Sequence, residues 1–185
     1  ALAAPVQLRN AACAIAALRS IGFEAEPALY ARGIEQASIG ARLQRFERDG
    51  IDILIDVAHN PQAARALAEA LRLQRIQGCT HAVYAALVDK DVAGVVDAMR
   101  DVVDAWFLAG SEDAGARGIS RADLMDRLAA NLPVGGHFDT VEQAIDAALE
   151  SAGRGDRLLV FGGFHAAEQG LKRFVADRPG AGGAV

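Results

Sequence analysis

Apolar residues recur at intervals of three and four from Gln7 to Arg19, a spacing that predicts a helix ended by Gly22. Pro27 suits the first turn of a second helix, carried through Ala28, Leu29, Ile34 and Ala37 and broken by Ser38 and Gly40. Beyond Gly40 the period shortens. Residues Arg42 to Arg48 alternate loosely, Asp49-Gly50 is a hairpin signal, and Ile51 to Val57 reads as a buried strand. That strand runs into Ala58-His59-Asn60-Pro61, where Asn60 can cap, and Pro61 can open, a helix continuing through Ala70 and Leu73. The strand, loop, helix step recurs at His81 to Leu87 before Val92 to Met99, at Ala105 to Ala109 before Arg121 to Ala130, and at Arg157 to Phe161 before Ala166 to Val175. The tail from Asp177 to Val185 is rich in Gly, Ala and Pro and is expected to fray.

Strands alternating with helices imply an α/β fold. A Rossmann-like, mostly parallel sheet with helices on both faces is expected, because parallel strands need crossovers and the crossover helices cover the sheet. Ligands in such sheets sit beyond the carboxyl ends of the strands, so the loops after Ile55, Leu87, Leu108 and Phe161 form the expected functional edge.

Composition narrows the classes. The chain has 185 residues, 52% hydrophobic and 23% charged, which is a globular rather than a disordered composition. Its 24 acids against 19 bases give a formal charge of −5 with no block of like charge, which argues against general nucleic-acid binding and for small-molecule partners. No apolar run approaches a membrane span and no charged leader precedes a short apolar segment, so a cytoplasmic location is expected. Cys13 and Cys79 lie in apolar settings without metal-ligand spacing and are read as core thiols of a reducing compartment. The chain opens on Ala1, without Met, directly into a helical pattern, so it is expected to have been cut from something longer.

Asp56-Val57-Ala58-His59-Asn60-Pro61 puts a carboxylate, an imidazole and an amide at a strand end, beside a helix amino terminus that favours anions. The plain alternative is that Asn60 only caps and that Asp56 and His59 serve loop backbone groups. Asp89-Lys90-Asp91 follows the next strand at the same edge, where a capped, solvated turn is the plain alternative.

In chain order, DVAHNP (56–61), DKD (89–91) and FGGFHA (161–166) resemble the folylpolyglutamate synthase/dihydrofolate synthase enzymes of the Mur ligase superfamily. Gln7-Leu8-Arg9-Asn10-Ala11-Ala12 is similar to a helix start near the end of that family's central ATPase domain, and Gly40-Ala41-Arg42-Leu43-Gln44 to its PGRFQ segment. The resemblance covers essentially the whole chain. It implies that residues 1–38 are the tail of the ATPase domain with a linker, and that 39–185 are a C-terminal Mur-ligase-like α/β domain. It also implies an ATP-dependent amide ligase, in which a pteroate or folate carboxylate is phosphorylated and then attacked by the amino group of L-glutamate.

On that resemblance Asn10 would contact ATP, Arg42 its phosphates and Asp56 the nucleotide at the ribose. His59 would lie near the nucleotide or the glutamate as a tentative catalytic or substrate-binding group, and Asp89 and Lys90 would line the cleft. The plain alternatives are a solvated helix amide for Asn10, a surface strand charge for Arg42, a backbone-satisfied carboxylate for Asp56 and a capping or exposed histidine for His165. The chain departs from the family at Ala41, which stands where glycine is usual after a missing proline, and at Gly163, where relatives often have serine. No GxxxxGK[ST] occurs in the sequence. The phosphate loop, the Mg2+ ligands and the modified lysine of these ligases would lie upstream, so the partners expected are ATP, L-glutamate, dihydropteroate or folate, and the chain's own N-terminal ATPase domain.

Three rivals stand beside this reading. A dinucleotide-binding module would carry GxGxxG at the first strand-to-helix turn, where this chain has AHNP. A Mur-type peptidoglycan precursor ligase would keep the superfamily and change the substrate. A non-catalytic α/β module would explain Ala41 and Gly163.

Overall fold

The computed structural model describes residues 5–37, 40–128 and 132–175. Ser38, Ala130 and the tail from Asp177, each used in the sequence reading, lie outside them, as does Ala1. The chain divides into two compact units, Ala1–Gly40 and Ala41–Val185.

In the first unit α1 (Pro5–Ser20) and α2 (Pro27–Gln36) form where the three-four spacing places them. Gly22 follows α1 in the left-handed region at φ 81°, and Pro27 opens α2. Phe23 and Tyr30 meet edge to face with ring centroids 6.4 Å apart.

The second unit is a six-stranded sheet in the order β1-β2-β6-β3-β4-β5. β1 (Gln44–Arg48) and β2 (Ile51–Ile55) are an antiparallel hairpin. Asp49 at φ 54° and Gly50 at φ 81° make its turn, whose two left-handed residues match the twist of the strands. The remaining pairings, β2 with β6 (Arg157–Phe161), β6 with β3 (Thr80–Tyr84), β3 with β4 (Ala105–Ala109) and β4 with β5 (Val134–Phe138), are all parallel.

A helix follows each of the parallel strands: α3 (Pro61–Leu73) after β2, α4 (Val92–Met99) after β3, α5 (Arg121–Asp126) after β4, α6 (Val141–Ser151) after β5 and α7 (Phe164–Val175) after β6. The mostly parallel α/β sheet expected from the strand-helix alternation is therefore present. Ile53, Ile55, Val83, Phe107, Leu158 and Val160 face α6 and α7, burying Val141, Ala144, Ile145 and Phe174. The alternate strand residues Leu54, Tyr84, Trp106 and Phe161 are buried on the other face, where α3 and α4 contribute Leu67, Leu71, Val95 and Met99. Tyr84, Trp106 and Phe161 pack ring on ring there, with centroids 5.0 to 6.1 Å apart. At about 25 cal/mol per Å² of apolar surface, rings of this size are the largest single contributors to such a core.

The structure corrects several expectations. β5 and α6 have no counterpart in the sequence reading, which passes from Ala130 to Arg157 without an element. β2 ends at Ile55 rather than Val57 and β3 at Tyr84 rather than Leu87, because the chain then turns into the loops that lead to α3 and α4. α5 ends at Asp126. Cys13 and Cys79 are not core thiols: both are free and exposed, Cys13 on the solvent side of α1 and Cys79 in the loop before β3. Among the described residues no helix is long and apolar enough to cross a membrane.

Candidate active site at the carboxyl edge of the sheet

The carboxyl end of β2 is built around Asp56. Its Oδ2 accepts the Leu43 N–H at 2.8 Å and its Oδ1 the Ala58 N–H at 2.8 Å. Burial pushes this carboxyl above the usual range, opposed by those two donors and by the charge of Arg42. The bonds clamp the segment before β1 onto the end of β2. Ala41 and Leu43 there adopt left-handed φ values of 54° and 47°, a conformation that costs a non-glycine residue about 1–2 kcal/mol and persists only where its surroundings enforce it. Enforcement comes from Asp56, from the Ala41 carbonyl accepting the Val57 N–H at 3.0 Å, and from Gln44 Oε1 accepting the Ala41 N–H at 3.0 Å. Both left-handed residues are buried and Arg42 between them is exposed. Among the described residues Arg42 has no hydrogen bond or ion pair, so the clamp presents an uncommitted guanidinium.

Asn60 and Pro61 act as the sequence predicts. Asn60 Oδ1 accepts the Ala63 N–H at 2.8 Å, capping α3, and Pro61 opens it. His59, half-buried, places Nδ1 3.0 Å from the Val57 carbonyl. A carbonyl only accepts, so Nδ1 carries the proton in the neutral ring and Nε2 is left as an acceptor. A side chain at Gly163 would begin 3.9 Å from His59 Cβ, so the β6 loop faces this histidine. Gly162 and Gly163 have φ of 123° and 149°, and a Cβ at Gly162 would collide with the Ala85 carbonyl, so the tight turn after β6 requires glycine there.

After β3, Asp91 caps α4 by accepting the Gly94 N–H at 2.9 Å. Asp89 takes Arg117 Nη2 on both oxygens, at 2.8 and 2.7 Å, with Lys90 Nζ 3.0 Å away. The Arg117 guanidinium, with Lys90, holds the Asp89 carboxyl down at about 2. His165 Nε2 lies 3.0 Å from Asp113 Oδ1 without hydrogen-bond geometry.

The structure thus joins Arg42 to Asp56, His59 to Gly163 and Asp89 to Lys90 along one edge. Asn10 belongs to the other unit, where its Nδ2 donates to Gln7 Oε1 at 3.3 Å. Arg117, Asp113 and Ser111 are edge residues the sequence reading missed. Their partners lie in loops distant along the chain, and no spacing signals such contacts. Among the described residues no group of three or more His, Cys, Asp or Glu is placed to hold a metal ion.

The family model described as Mur ligase, glutamate ligase domain, matches residues 41–164, which includes this edge from Ala41 to Phe164. The chain belongs to that family. Among curated relatives of this Mur ligase domain, the dihydrofolate synthase/folylpolyglutamate synthase of Escherichia coli strain K12 is 37% identical over 171 residues, 92% of this chain and 39% of that enzyme. Among solved structures, E. coli FolC in complex with DHPP and ADP superposes with a TM-score of 0.80 at 37% identity, over 91% of this chain and 39% of the other. A bifunctional folylpolyglutamate synthase/dihydrofolate synthase with Mn, AMPPNP and L-glutamate bound gives 0.79 at 34% identity, over 90% and 39%. The chain spans about two-fifths of the length of these relatives, 39% in each case.

Proposed function

We propose that this chain is the carboxyl-terminal portion of a cytoplasmic, ATP-dependent carboxylate-amine ligase that adds L-glutamate to dihydropteroate or a folate through an acyl phosphate. The observation that carries the reading is Arg42: an exposed, uncommitted guanidinium on a strained loop clamped by buried Asp56. A permanent cation held before its ligand arrives is what polyphosphate binding needs, because little further ordering is required at the moment of reaction. Membership of the glutamate ligase domain family, and similarity to enzymes solved with ADP or AMPPNP, support nucleotide as that ligand.

In this reading Arg42 meets the phosphates of ATP, and Asp56 both holds the Arg42 loop and offers its remaining lone pairs to the ribose. His59 uses its free Nε2 toward the nucleotide or the incoming glutamate. Asp89 and Lys90 line the cleft, and Asn10 contributes from the ATPase-domain side. ATP brings the phosphoryl group that activates the substrate carboxylate; the residues here bind, orient and exclude water. By the family resemblance, Mg2+ would be held by residues outside this chain.

The complete polypeptide, purified, is expected to release ADP only when ATP, a pteroate or folate substrate and L-glutamate are all present. The 185-residue chain alone is expected to release none. Glutamate-independent turnover by the complete polypeptide, or glutamate-dependent ADP release by the chain alone, would contradict the proposal.

A further inference from the structure

Arg42 stands between two residues with left-handed backbones, Ala41 at φ 54° and Leu43 at φ 47°. Both carry a Cβ, so neither keeps that conformation unaided, and each depends on what grips its peptide groups. On the Leu43 side the grip is Asp56, whose Oδ2 accepts the Leu43 N–H at 2.8 Å. On the Ala41 side the carbonyl accepts the Val57 N–H at 3.0 Å, and the N–H is taken by a single side chain, Gln44, through Oε1 at 3.0 Å. Ala41 is only 6% exposed, so little water stands ready to replace Gln44 at that donor.

The fold sets Gln44 where this bond is possible. Gln44 opens β1 opposite Ile55, the last residue of β2, so the antiparallel register brings it to the carboxyl edge of the sheet. Its backbone is fixed by the ladder, and two residues on, Phe46 packs on Phe174 with ring centroids 6.2 Å apart, which anchors β1 to α7. From that fixed strand the half-buried side chain reaches back three residues. A backbone N–H only donates, so the oxygen of the Gln44 amide faces Ala41 and its NH2 group has no part in the bond. Asp56 and Gln44 thus hold the two neighbours of Arg42, one each.

We propose that Gln44 is a positioning residue for ATP: by taking the Ala41 N–H it keeps Ala41 left-handed, and so holds Arg42 in the place where the polyphosphate is received. This rests on the ligase reading above, in which Arg42 meets the phosphates. Gln44 acts through the backbone of Ala41 and touches no substrate itself. Loss of its oxygen therefore frees the Ala41 side of the arginine while Asp56 still grips the other.

Steady-state kinetics on the complete polypeptide, with ATP and L-glutamate varied separately, tests this. Gln44→Leu keeps the size of the side chain and removes the acceptor. It is expected to raise KM for ATP by about tenfold, with KM for L-glutamate changed by less than about twofold and kcat by less than about threefold. Adding Ala41→Gly to Gln44→Leu should lower KM for ATP again by about threefold or more, because glycine takes φ 54° without outside support. A glutamine that bound the nucleotide directly through its NH2 group would show no such recovery. Thermal unfolding checks that each variant is folded, and Gln44→Asn, which withdraws the amide by one methylene, serves with the same expectations if Gln44→Leu does not fold. An unchanged KM for ATP, equal rises in both KM values, or no recovery on adding Ala41→Gly would overturn the proposal. An unmutated polypeptide without glutamate-dependent ADP release would instead overturn the ligase reading.

Discussion

The two edges of the parallel sheet use the same kinds of side chain to opposite ends. At the amino edge Arg157, Asp52, Asp156 and Asp104 are all held by partners within the fold. Arg157, only 3% exposed, pairs with Asp52 at 3.3 Å and donates to the Gln74 carbonyl, and Asp52 also meets Arg45. Asp156 accepts the N–H groups of Cys79 and Gly153, each at 2.8 Å, and lies 3.2 Å from His81 Nε2. Asp104 accepts the Thr80 N–H at 2.7 Å. These bonds fasten β2, β3 and β6 where the strands begin. At the carboxyl edge Asp56 is also buried and bonded to backbone, yet the loop it clamps leaves Arg42 exposed. A carboxylate satisfied by backbone is therefore not an alternative to a functional site. It can be the means by which the neighbouring cation is held ready.

Breaking the amino edge should be the most damaging to the fold and the least to ligand response. Arg157→Ala leaves Asp52 with only the exposed Arg45, and denaturant unfolding of the chain is expected to show a loss of about 3 kcal/mol, the lower end for an uncoupled buried pair. Arg42→Ala should do the reverse. The kcat/KM of the complete polypeptide for ATP is expected to fall about 100-fold, as when one preorganised electrostatic donor is removed, while unfolding of the chain changes by less than about 0.5 kcal/mol.

Asp56→Asn joins the two behaviours, since an amide cannot accept from both Leu43 and Ala58. One buried N–H loses its partner, for a loss of about 1–3 kcal/mol by denaturant unfolding, and the released Arg42 loop should weaken ATP use as well.

The smallest effect is in pH. Asp89, held at about 2 against an ordinary 3.8, binds its proton less readily when folded. Its contribution to stability is thus present above pH 3.8 and lost as pH falls toward 2. Asp56 is raised, so its contribution runs the other way, favourable below its ordinary value and lost as pH rises through its folded one. Carboxyl NMR titration should find the Asp89 midpoint near 2, and Arg117→Ala should move it toward the ordinary value while Asp56 stays raised.

Much of this frame is legible in the sequence, and the exceptions have physical causes. Asp49-Gly50, Asn60-Pro61 and the alternating strands and helices each state a local preference that the structure keeps. β5 was hidden because its sequence, VGGHF, carries two glycines, one of which makes room for the Phe107 ring, and a strand without side chains shows no alternation. α6 had a readable signature, the cap Thr140 followed by Val141, Ala144, Ile145 and Ala148 at helical spacing. At the site, the strand-end motif pointed to Asp56 and His59, whereas Arg42 was reached only through the family resemblance of Gly40 to Gln44. The direction of Asp56's bonds and the grip of Arg117 on Asp89 depend on contacts between distant loops, which no local pattern encodes.

The division between a structural and a functional edge is tested most directly by backbone and side-chain NMR of the 185-residue chain titrated with ATP. The account predicts weak binding, with shift changes at Arg42, Asp56 and His59 and none at His81, Asp104 or Asp156. Changes centred on the amino edge, or none at the carboxyl edge at millimolar ATP, would contradict it.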